Sequence, residues 1–167
     1  QVEDVKIRAS LKVEPREVIK VDPNRDTFTL CSWHFGGLER KWHEAGLVNY
    51  IPMVHRNEPS YYRSGLQVDV AMLKLTSMDK HGFFNFSTTN SATRAILDAA
   101  KIVIVETDDN LPVALGGREE CIHISDVDYI VEGGNSKLFE LPSGSFDAVD
   151  RRAAAYLVDE IVAGAVI

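Results

Sequence analysis

The sequence predicts an α/β domain with a mainly parallel sheet flanked by helices, and three observations support this fold class. The first is a helical face with apolar residues at i, i+3, i+4, i+7 and i+8, namely Ala92, Ala95, Ile96, Ala99 and Ala100. The second and third are the apolar runs on either side, VDVAMLKL at residues 68–75 and KIVIVE at residues 101–106. A strand, a helix and a strand in this order form a right-handed βαβ unit, so we expect the two strands to be adjacent or one apart.

The chain before this unit is expected to alternate between strands and short helices. Four stretches predict strands: residues 5–13, 18–21, 27–33 and 50–54. Two stretches predict helices: residues 38–45, closed by Gly46, and residues 58–63, with Pro59 in the first turn. In residues 68–75, Val68, Val70 and Met72 point to one side and Ala71, Leu73 and Leu75 to the other. Because both sides are apolar, we expect helices on both faces of the sheet.

The chain after residue 75 is expected to hold shorter elements. Residues 83–86 predict a short return strand, and residues 122–131 predict one or two more strands. Phe83, Phe84 and Phe86 could line a short-acyl pocket or belong to the core. The remainder is read as a loop at residues 138–144, a helix over residues 149–161 that ends at Gly164, and a strand beginning in the final GAVI. Both ends look cut, and we expect a piece of a longer chain.

Composition and charge exclude several classes of function. Hydrophobic residues make up 45% of the 167 residues, which is typical of a globular chain. The net charge of −7 and a pI near 5.2 argue against general binding of nucleic acid or of anionic membranes. The longest apolar runs are too short to span a bilayer. The two cysteines, Cys31 and Cys121, are interpreted as free thiols of a cytoplasmic protein.

The common catalytic and metal-binding motifs are absent from the sequence. None of the five histidines has the spacing of a metal ligand pair, so no metal site is expected. No phosphate-binding glycine loop and no G-x-S-x-G elbow is present. Three glycine pairs are either turns or places where backbone N–H groups approach a substrate oxygen: Gly36–Gly37, Gly116–Gly117 and Gly133–Gly134.

A run of small polar residues precedes the predicted helix: Ser87, Thr88, Thr89, Asn90 and Ser91. Asn90 or Ser91 could cap the helix, and capping alone would explain the run. Alternatively, the run is a binding site for a carboxylate, phosphate or oxyanion at the N-terminus of a helix. Residues 107–117 leave the carboxyl end of the following strand, so we expect the two loops to be neighbours.

Residues 69–134 resemble the acetyl-CoA hydrolase/transferase family, and most closely its 4-hydroxybutyrate and butyrate-type CoA-transferases. The matching pieces occur in the family's order at residues 77–83, 87–91, 100–106, 110–112 and 122–132. Upstream, FGGLERKWHEAGLVNYIPMV at residues 35–54 resembles the family's glycine-pair and Y-I-P segments. The resemblance covers nearly the whole chain.

The resemblance implies an enzyme of two similar α/β domains that moves CoA between an acyl-CoA and a free carboxylate. A glutamate attacks the thioester, giving an acyl-glutamyl anhydride and then a glutamyl-CoA thioester, while backbone N–H groups stabilise the oxyanion. That glutamate belongs to the C-terminal domain, so no residue of this chain is expected to be catalytic. Glu106 and Glu132 end strands, and Glu119 and Glu120 lie in a loop.

The expected division is residues 1–142 as most of the N-terminal domain, then residues 143–167 as a linker and helix leading into the missing C-terminal domain. The expected substrate-binding residues are Gly36, Gly37, Ser87, Thr88, Thr89, Asn90, Asn110, Pro112, Gly116 and Gly117. The expected partners are an acyl-CoA, a small carboxylate, the missing domain and further copies in a homo-oligomer, with CoA as substrate and no tightly bound cofactor. Acyl-CoA hydrolysis and a non-catalytic binding module remain the alternative functions.

Overall fold

The computed structural model describes residues 3–9, 17–135, 137–141 and 143–166. The strands are β1 (Val5–Arg8), β2 (Phe28–Ser32), β3 (Val48–Tyr50), β4 (Val68–Leu75), β5 (Phe83–Asn85), β6 (Ala100–Thr107), β7 (Cys121–His123) and β8 (Tyr129–Glu132). The α-helices are α1 (Glu17–Val21), α2 (Gly37–Glu44), α3 (Glu58–Arg63), α4 (Thr93–Ala99) and α5 (Ala148–Val158). Short 3-10 helices occupy His55–Asn57 and Ile124–Asp126.

Two parallel three-stranded sheets form the framework, which confirms the α/β fold class. The first has the order β1-β2-β3, and the second has the order β4-β6-β8. β4 pairs directly with β6 in parallel, with Val70 opposite Ile102 and Leu75 opposite Thr107. Helix α4 connects these two strands, so the predicted βαβ unit is confirmed.

A separate antiparallel pair, β5 with β7, lies against the second sheet. The turn before β5 is held by the Asp79 carboxylate, which accepts hydrogen bonds from the N–H groups of His81 (2.8 Å) and Phe83 (2.9 Å). Gly82 has a φ of +87°, and a Cβ there would lie 2.8 Å from His123 Nε2. The D-K-H-G-F motif of residues 79–83 therefore has a structural explanation in this turn.

The main core lies between the second sheet and the layer formed by α4 and the β5–β7 pair. Its buried residues are Ala71, Leu75, Phe84, Phe86, Leu97, Val103, Val105 and Ile122. Phe84 and Phe86 are thus core residues, whereas Phe83 is 40% exposed and contacts the His123 ring edge-on. A second cluster joins α4 to the first half of the chain through Trp33, Tyr62, Ala92 and Ala95.

The opposite face of the second sheet is open, so the expectation of helices on both faces is wrong for the described residues. This face is apolar and exposed at Val70, Met72, Ile102, Tyr129 and Val131. Met72 is 77% exposed. An open apolar face is unusual for a parallel sheet, which proteins normally cover on both sides.

Five other element predictions differ from the structure. Residues 18–21 belong to helix α1, and the strand expected at residues 50–54 is instead β3, three residues long and ending at Tyr50. The first strand ends at Arg8, and the rest of its expected span from residue 10 lies outside the described residues. Helix α5 ends at Val158, and residues 164–166 form no strand. Short apolar runs do not distinguish a strand from a helical turn.

No helix in the described parts of the chain is both long enough and apolar enough to cross a bilayer.

Candidate functional site

Asn85, at the end of β5, joins the two loops that the sequence singled out. Its Oδ1 accepts hydrogen bonds from the N–H groups of Ser87 (2.8 Å) and Ala114 (3.0 Å). Its Nδ2 donates to the Ala114 carbonyl at 3.0 Å. The Asn85 backbone is paired with Thr76, the residue after β4. One buried amide therefore holds both loops at the carboxyl end of β4.

Further hydrogen bonds connect the two loops directly. The Ser87 hydroxyl donates to the Pro112 carbonyl at 2.7 Å, and the Asn90 side chain donates at 3.0 Å to the carbonyl of Glu119, two residues after the second loop. Ser87 itself adopts a left-handed backbone conformation with φ +57°. The expectation that residues 87–91 and 107–117 are neighbours is confirmed.

The polar run does not cap helix α4. The N-cap is Ala92, which makes no side-chain cap hydrogen bond, so the assignment of Asn90 or Ser91 as the cap is wrong. The Ser91 hydroxyl instead donates to Glu58 of α3 at 3.0 Å. Thr89 is engaged locally, with its hydroxyl 3.4 Å from the Phe86 carbonyl. Capping of α4 is therefore excluded as the explanation of this run.

Thr88 differs from the other four residues of the polar run. Its side chain is exposed, and within the described part of the chain no hydrogen bond engages its hydroxyl. It lies beside the buried, bonded Ser87, which fixes its backbone. Thr88 thus presents a free hydroxyl from an anchored loop.

The second loop is anchored where β6 ends. Buried Asp108 accepts from Lys74 Nζ at 2.9 Å and from the Asn110 N–H at 2.9 Å. Lys74 also lies 3.2 Å from the Glu106 carboxylate. The Lys74 ammonium, and then the Asn110 N–H, lower the pKa of Asp108 below its ordinary value of 3.8. In turn, Asp108 raises the pKa of Lys74 above 10.5.

The Lys74–Asp108 pair predicts how stability depends on pH. Asp108, with its lowered folded-state pKa, stabilises the fold above about pH 4, and this contribution is lost as the pH falls through that folded-state pKa. Lys74, with its raised pKa, contributes below about pH 10 and loses that contribution as the pH rises through its folded-state value. We expect Lys74→Met to lower the urea midpoint most between these limits, with the difference from wild type shrinking towards both ends.

The matched control for this measurement is Lys101→Met, which breaks the exposed pair with Asp69. Exposed ion pairs contribute little, so the control is expected to shift the midpoint less at neutral pH. Equal shifts for the two variants at every pH would contradict the role assigned to the Lys74–Asp108 pair.

The remaining part of the second loop ends at the glycine pair Gly116–Gly117. Both of their N–H groups donate to the Glu120 carboxylate, and the Gly117 bond is 2.6 Å long. A substrate oxygen at these N–H groups would therefore compete with Glu120. An open cleft of about 590 Å³ lies beside this turn, lined by Arg94, Asp98, Gly117, Arg118, Glu119, Glu120 and Cys121.

The other glycine pair of the expected set lies elsewhere. Gly36 is the N-cap of α2, and its N–H donates to Glu39 at 3.0 Å, while Gly37 is the first residue of that helix. In the described ranges no hydrogen bond links this turn to the two loops. Asn110 and Pro112 do lie in the joined loops, where the Asn110 side chain donates to the Asn135 carbonyl at 2.5 Å.

The described residues give no support for a metal site or for a reactive Cys121 thiol. No group of three potential metal-ligating side chains occurs among the residues whose positions are described. Burial raises the pKa of the Cys121 thiol, with Glu120 and Asp79 adding to the effect, so this cysteine is not an activated nucleophile.

Comparison with known proteins agrees with the resemblance. The family described as acetyl-CoA hydrolase/transferase N-terminal domain matches residues 4–138. The chain is 46% identical over 167 residues to butyryl-CoA:acetate CoA-transferase of Anaerostipes caccae, covering 99% of this chain and 37% of that protein. It is 36% identical over 104 residues to 4-hydroxybutyrate coenzyme A transferase of Clostridium kluyveri, covering 62% of this chain and 24% of that protein.

A crystal structure of RipA from Yersinia pestis has the same fold over 86% of this chain and 35% of that one, with a TM-score of 0.70 and 26% identity. The chain therefore spans between about a quarter and little more than a third of the length of these proteins. The match over residues 4–138, together with these relatives, shows that the chain belongs to the acetyl-CoA hydrolase/transferase family and contains its N-terminal domain.

Proposed function

We propose that this chain is the N-terminal part of an acyl-CoA:carboxylate CoA-transferase that moves CoA between a short-chain acyl-CoA and a carboxylate such as acetate. The related enzyme of Anaerostipes caccae is named for butyryl-CoA and acetate, which supports this substrate class. The nucleophilic glutamate lies outside residues 1–167. CoA is a substrate, and no tightly bound cofactor takes part.

In this proposal residues 87–90 and 110–117 form one wall of the acyl/carboxylate site. The observation that carries it is the joining of the two polar loops by Asn85 and Ser87 at the carboxyl ends of β4 and β6. Ligands of parallel α/β sheets collect at this edge. The free Thr88 hydroxyl is the group best placed to donate a hydrogen bond to a carboxylate oxygen.

The test is Thr88→Val in the complete enzyme, which replaces the hydroxyl with a methyl of similar shape. We expect kcat/KM for butyryl-CoA and acetate to fall roughly 10- to 100-fold, since a hydrogen bond to a charged group contributes about 1.5–3 kcal/mol. The melting temperature should stay nearly unchanged because the side chain is exposed and makes no hydrogen bond within the described residues.

The matched control is Thr88→Ser, which keeps the hydroxyl and should keep most of the activity. Ser87→Ala provides the opposite contrast, because it removes the bond to the Pro112 carbonyl and should lower the melting temperature. Unchanged kcat/KM in Thr88→Val would contradict the proposed wall.

Transfer and hydrolysis are distinguished by the acceptor. With butyryl-CoA and labelled acetate, a transferase forms labelled acetyl-CoA, whereas a hydrolase releases free CoA whether or not acetate is present. We expect label in acetyl-CoA and little free thiol. Free CoA released at the same rate without acetate would favour hydrolysis.

We also propose that the missing C-terminal domain and the rest of the protein cover the apolar surface that is open in this chain. The supporting observations are the exposed sheet face around Met72 and Ile102 and the exposed helix α5, where Tyr156 is 74% and Leu157 63% exposed. Monomeric proteins rarely expose large apolar patches. A homo-oligomer and a cytoplasmic location complete the proposal, and the free thiols Cys31 and Cys121 support that location.

A further inference from the structure

Glu58 is a buried carboxylate that has no role in the proposed acyl/carboxylate site. Its side chain is only 3% exposed, and it begins helix α3. Its Oε2 accepts from the Ser91 hydroxyl at 3.0 Å and lies 3.4 Å from His55 Nδ1. His55 Nε2 in turn lies 3.5 Å from the Ser91 hydroxyl. The side chains of His55, Glu58 and Ser91 thus form a closed ring of polar contacts.

This ring does not have the geometry of an activated serine. In a nucleophilic triad the imidazole accepts the serine proton, and the carboxylate orients the imidazole from the other side. Here the Ser91 hydroxyl donates directly to Glu58, and its distance from His55 Nε2 is at the limit of a hydrogen bond. Ser91 is therefore held in place and not activated.

The polar run consequently has an anchor at each end. Ser87 is tied to the Pro112 carbonyl, and Ser91 is tied to Glu58. Thr88, whose hydroxyl is free in the described part of the chain, lies between the two anchors. Without the second anchor, the end of the run would still be tied by the Asn90 side chain to the Glu119 carbonyl, but the position of Thr88 would be less restricted.

We propose that Glu58 is a positioning residue which, by holding the Ser91 hydroxyl, fixes the loop that presents Thr88 to the substrate carboxylate. This inference rests on the proposed function of the two loops. Misplacing a group that contacts the substrate by about 1 Å can lower a rate by as much as a hundredfold, so a distant anchor can have a kinetic effect.

The experiment compares kcat/KM and melting temperature of the complete enzyme across Ser91→Ala, Thr88→Val and the double variant. We expect Ser91→Ala to lower kcat/KM roughly tenfold and to lower it no further in the Thr88→Val background, because both changes act through the same hydroxyl. The control is Ser60→Ala, an exposed serine of α3 whose side chain makes no hydrogen bond in the described ranges, which should keep full activity.

Glu58→Gln keeps an oxygen that can accept from Ser91, so it should retain more activity than Glu58→Ala. If Glu58→Ala does not fold, the Ser91 and Thr88 variants still decide the question. Unchanged kcat/KM in Ser91→Ala, or losses that add fully in the double variant, would overturn the positioning role while leaving the proposed wall intact. A silent Thr88→Val would overturn the wall and, with it, this inference.

Discussion

Residues 1–167 on their own are expected to transfer no CoA between acetyl-CoA and butyrate. The physical reason is that the loops of this chain provide hydrogen-bonding groups but no nucleophile, while the proposed covalent route needs a carboxylate from the rest of the protein. Two of the acidic residues near the loops are already engaged: Glu120 by two backbone N–H groups and Asp108 by Lys74. The measurement is formation of butyryl-CoA by the purified chain, compared with buffer alone and with the complete enzyme.

An inactive chain could be unfolded or could simply lack the nucleophile, and the experiment has to distinguish these two causes. Trp33 is 7% exposed and packs edge-on against Tyr62, so its fluorescence reports whether the fold is intact once the second, half-buried tryptophan is removed by Trp42→Phe. We expect the emission spectrum of a buried tryptophan together with no formation of butyryl-CoA. Turnover above the buffer rate by the isolated chain would contradict the assignment of the nucleophile to another part of the protein.

Replacing Asn85 with alanine is expected to lower the free energy of unfolding by about 2–4 kcal/mol. Three hydrogen bonds disappear at once, and the backbone groups of Ser87 and Ala114 lose their partner in a buried place. Because Asn85 joins the two loops, the same change in the complete enzyme should also lower kcat/KM. Urea denaturation followed by tryptophan fluorescence measures the first effect, and steady-state kinetics the second.

Asn49→Ala is the matched control for this prediction. Asn49 lies in β3 with an exposed side chain that forms no hydrogen bond within the described residues, so its loss should change stability by less than about 0.5 kcal/mol. A similar shift for the two variants would mean that the Asn85 amide does not hold the loops together.

The sequence predicted the second half of the fold better than the first. The strands β4 and β6 are eight residues long and the pattern of helix α4 is strongly periodic, and such elements depend mainly on local pattern. Residues 18–21 carry the same kind of apolar residues but form α1. The chain turns after this helix because the Asp22 carboxylate accepts from the N–H groups of Thr27 and Phe28, a contact that periodicity does not show.

The sequence predicted that the two loops lie together, but not the hydrogen bonds that join them. The order of strands and loops was enough to place residues 87–91 beside residues 107–117. The importance of Asn85 was missed, since its partner Ala114 is 29 residues away and Asn85 itself falls between the two matching pieces at residues 77–83 and 87–91. Glu58 was missed for the same reason, with Ser91 33 residues distant. Hydrogen bonds between distant segments become visible only once the chain is folded.

The most direct test of the proposed wall is a crystal structure of the complete enzyme with butyrate bound. We predict a carboxylate oxygen about 3 Å from the Thr88 hydroxyl, with residues 87–90 and 110–117 on the same side of the ligand. A carboxylate that contacts neither loop would contradict the proposal that these two loops form the acyl/carboxylate site.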